Sequence, residues 1–124
     1  MEIWHKTLLI FIFYGIIGGG KGIYIMLNIE TKKNNGELLI ALEGRLDTKT
    51  APELEAAIDE NIENATDLTF DFAKLVYISS AGLRVLLSTH KQMMKQGSMV
   101  IKNMPEEVRD TFEITGFADI LTIE

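Results

Sequence analysis

Two adjacent serines stand where the chain changes its periodicity, and their hydroxyls are the groups best placed for chemistry. Before them, Leu68, Phe70 and Phe72 alternate with Thr69 and Asp71, the period of two that marks a strand. After them, Leu83, Leu86, Leu87, His90 and Met94 recur at helical spacing. In between lie a short connection at residues 73–74, an apolar run at residues 75–78, and then Ser79-Ser80-Ala81-Gly82. A serine directly before an apolar-periodic run suits an N-cap, because its hydroxyl can accept from an unpaired amide of the first helical turn. The same place favours an added anion, through those free amides and the helix dipole together. The chemistry this step supports is phosphorylation of a serine.

Other chemistries find little to work with. The two histidines are His5 and His90. His90 lies ten residues beyond Ser80, about 15 Å along a helix, too far to serve as its base. A nucleophile elbow needs glycine two residues on each side of the serine; Gly82 follows Ser80, but Ile78 precedes it. No carboxylates show metal-ligand spacing, and with no cysteine there is no thiol catalysis, disulfide or cysteine-based zinc site. Gly15 to Lys21 fits the glycine and lysine positions of a P-loop, yet Gly22 stands where Ser or Thr would hold magnesium, and IYIML after it reads as strand. A P-loop needs a helix there, so the match is a chance glycine cluster. Neither an enzyme, a cofactor nor a metal is expected.

The elements that must position the serines can be read in order. Residues 26–31 and 37–43 are strand candidates, and Asn35-Gly36 between them favours positive φ and a tight reversal, giving a hairpin. Thr50 with Glu53 three residues on reads as a capping box, and Pro52 fits the first turn of a helix. Leu54, Ala57, Ile58 and Ile62 form its apolar stripe, while Glu55, Asp59, Glu60 and Glu63 face water. Gly97 closes the central helix, residues 98–102 form a short strand, and Pro105-Glu106-Glu107 opens a third helix that turns Val108 and Phe112 to the core. Gly116 stops it; the pattern leaves residues 118–123 open between strand and short helix. Strands alternating with helices require crossovers, hence a mixed sheet with helices packed on it.

The chain of 124 residues suits one domain with a modest core. Its first 25 residues differ in composition from the rest, with an apolar stretch at residues 8–17 followed by Gly18-Gly19-Gly20-Lys21-Gly22. That stretch has no small-residue cleavage site for a signal peptide and is too short for a membrane span, which needs about 20 apolar residues. We expect the natural start at Met26, with residues 1–25 an extension from an upstream start and residues 26–124 a single domain without membrane contact. Residues 1–25 carry a net charge of +1 and residues 26–124 of −7. So acidic a body repels phosphate backbones and anionic lipid, which argues against direct nucleic-acid binding and suits a basic protein partner.

The run KLVYISSAGLRVLL resembles the signature of the STAS domain of bacterial anti-sigma-factor antagonists. The family's usual core there reads Asp-Ser-Ser/Thr-Gly-Leu, and its first serine is the phosphorylated one. With Gly82-Leu83 fixed, that serine falls on Ser80; Ser79 then stands where Asp is common, and Ala81 where a second hydroxyl is common. GRLDTKTAPEL is similar to a second family segment, often Gly-Glu-Leu-Asp, with Arg45 for the usual Glu and Asp47 retained. The resemblance covers residues 26–124 and implies the STAS fold, an N-terminal hairpin plus parallel crossovers with about four helices. It implies Ser80 as phosphoacceptor, with Ser79, Ala81, Gly82, Asp47 and Arg84 as neighbours that a kinase or partner recognises. Unphosphorylated, such a cytoplasmic protein binds an anti-sigma factor that is also a serine kinase; phosphorylation ends the complex, and a serine phosphatase resets it. The other reading is a STAS scaffold or ligand sensor that is never phosphorylated.

Overall fold

Alternation of apolar side chains decides which face of the sheet is buried. In the computed structural model, which describes residues 26–124, β1 (Leu27–Asn34) buries Leu27, Ile29 and Thr31, and β2 (Glu37–Leu46) buries Leu38, Ile40, Leu42 and Leu46. These two strands form the expected antiparallel hairpin. Asn34 pairs with Glu37 across the two-residue turn Asn35-Gly36, and Asn35 takes the left-handed conformation at φ 57°. β3 (Asp67–Ile78) then pairs parallel to β2, and β4 (Ser98–Lys102) parallel to β3, giving the order β1-β2-β3-β4.

The parallel pairs need crossovers, and helices supply them. Helix α1 (Ala51–Asn61) connects β2 to β3, and α2 (Ser80–Gln96) connects β3 to β4. Helix α3 (Glu106–Thr115) follows, with Pro105 at its N-cap, and Val108 and Phe112 buried as expected. Leu54 and Ile58 of α1, Leu83, Leu86 and Met93 of α2, and Val108 and Phe112 of α3 join the inward strand residues in one apolar core. Gly116, at φ 85°, ends α3 in the left-handed conformation. The undecided tail is both things in turn: a 3₁₀ turn at Phe117–Asp119, then a parallel bridge from Ile123 to Ile101.

Four expectations need correction. The described residues contain three α-helices and one 3₁₀ turn rather than about four helices. Residues 73–74 do not connect two elements; they belong to a single twelve-residue strand. Its pairing with β2 slips between Ala41 and Glu43 and again between Gly44 and Arg45, so extra residues on β3 bulge outward. The buried stripe of α2 runs through Gly82, Leu83, Leu86, Thr89 and Met93, while Leu87 and His90 are half-buried and Met94 is 69% exposed. Thr89 tolerates burial because its hydroxyl donates to the Val85 carbonyl at 2.8 Å, which leaves no polar group unpaired. The fourth concerns Thr50 and belongs to the site. Gly97 does follow α2, in an extended conformation rather than a left-handed one; it must be glycine because a Cβ there would run into the Thr66 carbonyl. Among the described residues no helix is long and apolar enough to cross a membrane. The expectations about residues 1–25, including their P-loop-like glycines, lie outside the described residues.

Candidate functional site

Parallel pairing brings the carboxyl ends of β2 and β3 together. Leu46 pairs with Ile78, so the residues that follow, Asp47 and Ser79, leave the sheet side by side. The Ser79 amide still donates to the Leu46 carbonyl at 2.9 Å, and the chain then turns into α2. In sheets of this kind the carboxyl ends of the strands are where sites form, because loops and helix starts converge there.

Ser79 caps α2. Its backbone is extended, its hydroxyl accepts from the Gly82 amide at 3.5 Å, and its carbonyl accepts from the Leu83 amide at 3.0 Å. Ser80 is the first helical residue and is exposed. The capping role open to either serine in the sequence is therefore taken by Ser79, which leaves the Ser80 hydroxyl without a hydrogen bond among the described residues. No acidic residue lies in the first turn of α2 to offset the positive end of its dipole. Ala81 is half-buried against the core, and Arg84, one turn beyond Ser80, is exposed. Gly82 sets how closely the helix sits on the sheet: a Cβ there would lie 2.6 Å from Leu46 Cγ and 3.0 Å from Ile78 Cγ1. Any larger residue would push the serines away from the strand ends.

Across from this turn, Asp47 organises its own loop. Its Oδ1 accepts from the amides of Lys49 at 3.0 Å and Thr50 at 3.1 Å, and the Thr50 hydroxyl lies 3.2 Å from the same oxygen. The capping box expected of Thr50 does not form, because its side chain turns back. The hydroxyl accepts from the Asp47 amide and donates to the Arg45 carbonyl, each at 2.8 Å, and Thr50 is buried. Asp47 Oδ2 faces Arg45 Nε at 3.8 Å. Burial pushes the Asp47 carboxyl pKa up. Hydrogen bonds from the Thr50 and Lys49 amides, with the nearby Thr50 hydroxyl dipole and the Arg45 charge, outweigh that and hold it below its usual value.

A carboxylate lowered in the folded state contributes stability above its unfolded-state pKa, and that contribution disappears as pH falls through the folded-state value. Asp47→Ala is therefore expected to cost about 1–2 kcal/mol near pH 7 and less at pH 3. Urea unfolding of both proteins at the two pH values checks this. An equal difference at both would mean the charge of Asp47 plays no part.

Tyr77 escapes a reading of the sequence. In KLVYI the run of apolar residues suggests burial, but the second slip in β3 turns both Val76 and Tyr77 outward, 53% and 40% exposed. The Arg45 guanidinium lies over the Tyr77 ring, 4.1 Å from its centroid, a cation–π contact between paired strand residues.

These features define a small α/β domain whose candidate site lies at the carboxyl ends of two parallel strands and the start of the helix between β3 and β4. A family model described as the STAS domain matches residues 28–124, and the chain belongs to that family. The anti-sigma-B factor antagonist of Bacillus subtilis (strain 168) is 32% identical over 98 residues, which is 78% of this chain and 90% of that protein. Among solved structures, an anti-sigma factor antagonist from Mycobacterium paratuberculosis superposes with a TM-score of 0.71 at 21% identity, over 78% of this chain and 84% of that one. The anti-sigma factor antagonist SpoIIAA in its unphosphorylated form gives 0.68 at 20% identity, over 77% and 87%. Both structures share the fold of this chain.

Proposed function

We propose that this chain is an anti-sigma-factor antagonist that works by partner switching in the cytoplasm, with Ser80 as its phosphoacceptor. The observation that carries the reading is the division of labour between the two serines: Ser79 caps the helix, and Ser80 beside it offers an exposed hydroxyl with no hydrogen bond among the described residues. The relative in Bacillus subtilis supports the class of function, being an anti-sigma-B factor antagonist by name. The same fold exists in phosphorylated form in SpoIIAA, so it accommodates this chemistry.

In this reading the unphosphorylated surface around Ser80, with Ser79, Ala81, Gly82 and the Asp47 loop, docks on an anti-sigma factor that is also a serine kinase. Ser80 Oγ attacks the γ-phosphorus of ATP, the bond to ADP breaks, and the hydroxyl proton passes to a base of the kinase. The product carries about −1.5 to −2 added charges at pH 7. At the start of a helix that charge is tolerated locally, so the fold persists. In the interface a bulky dianion has replaced a small hydroxyl and must be desolvated or repelled, so the complex separates. A serine phosphatase then hydrolyses the ester, returning the hydroxyl and inorganic phosphate.

Intact-mass measurement of the protein from its native cell, with fragmentation to place the modification, tests the assignment. A phosphate on Ser80 is the expected result. A phosphate on Ser79 would move the acceptor by one residue. An unmodified mass under several growth conditions would overturn the switch and favour a STAS scaffold or sensor.

A further inference from the structure

We propose that Arg84 is the intramolecular counter-ion of phosphorylated Ser80, a role that rests on the phosphoacceptor reading above. Ser80 and Arg84 are four residues apart on α2, and both are exposed. Residues at this spacing are neighbours on one helical face, with Cβ atoms about 5–6 Å apart. Cα–Cβ bonds in a helix tilt toward its N-terminus, so the long Arg84 side chain leans back over Ser80 rather than away from it. Nothing between them blocks the approach, because Gly82 and Leu83 turn into the core and Ala81 is small.

Arg84 is also uncommitted. Helix α2 contains no Asp or Glu, so no carboxylate stands one turn above or below it. Among the described residues it has no ion pair. The carboxylate of the neighbouring loop is already occupied, since Asp47 Oδ1 accepts two backbone amides and Oδ2 faces Arg45. Arg45 in turn is stacked on Tyr77. Arg84 is thus a cation one helical turn from Ser80 with no carboxylate partner among the described residues, and its planar fork matches two phosphate oxygens. Pairing favours the dianion over the monoanion, and it reduces the net negative charge that the modified face presents to a partner.

The test uses the full chain with phosphoserine installed at position 80 during translation, compared with the same protein carrying Arg84→Gln or Arg84→Lys. Phosphorus NMR follows the second ionisation of the phosphate against pH. With arginine at position 84 the second pKa is expected about 0.2–0.4 pH units lower than with glutamine, with lysine in between. The difference should shrink as salt is raised, as screening requires. Superimposable titrations of the arginine and glutamine proteins at low salt would overturn the proposal. A purely structural role for Arg84 would leave the phosphate's ionisation unchanged. Because the phosphoserine is installed and not left to a kinase, the titration decides the pairing even if Ser80 proves unmodified in the cell, which would refute only the phosphoacceptor reading.

Discussion

Replacing Phe72 with alanine is expected to remove about 3–5 kcal/mol of folding stability. The side chain is fully buried and stands between two other rings, with edge contacts to Phe70 at 6.0 Å and Phe112 at 6.4 Å between centroids. It therefore ties β3 to α3, and truncation leaves a cavity walled by rigid rings. Domains of this size hold only about 5–15 kcal/mol in all, so much of the population would unfold on mild heating. The urea midpoint, compared with wild type at matched slope, measures the loss. A fall of less than about 1 kcal/mol would mean the site collapses around the missing ring and that the three phenylalanines do not anchor the core. Phe72 also lies within the first slip in β3, between Asp71 and Lys74, so loosening it should disturb the strand end that carries Ser79 and Ser80.

The second large effect is on binding. Ser80→Asp is expected to weaken the complex with the anti-sigma factor at least tenfold, or about 1.4 kcal/mol, while Ser80→Ala binds like wild type and stays bound when ATP is added. Both proteins should fold normally. Ser79 supplies the cap, so alanine at position 80 removes no hydrogen bond among the described residues, and aspartate in a first turn is favourable to the helix dipole. Unfolding curves of the two variants should accordingly agree with wild type within about 0.5 kcal/mol. Titration calorimetry against the partner gives the affinities. If Ser80→Asp binds as tightly as wild type, or ATP releases Ser80→Ala, the switch does not act through this serine.

Much of this chain is decided locally, and its sequence alone determined those parts. The turn at Asn35-Gly36, the strand at residues 98–102, the start of α3 after Pro105 and its stop at Gly116 rest on backbone preferences within a few residues. The inward faces of β2, of β3 as far as Phe72, and of α1 and α3 follow from simple periodicity. The step from strand to helix at the two serines was legible for the same reason. Tertiary structure decided the rest. Which serine caps the helix depends on where the Leu46 carbonyl receives the chain, a contact between residues 33 positions apart. Thr50 leaves its capping box because the Arg45 carbonyl and the Asp47 amide bind its hydroxyl. Val76 and Tyr77 face outward only because β3 slips against β2. The buried stripe of α2 is turned toward Met93 by packing that begins at Gly82 against Leu46 and Ile78. Except at Thr50, whose partners lie three and five residues away, the deciding partner is distant along the chain, and no local preference specifies it.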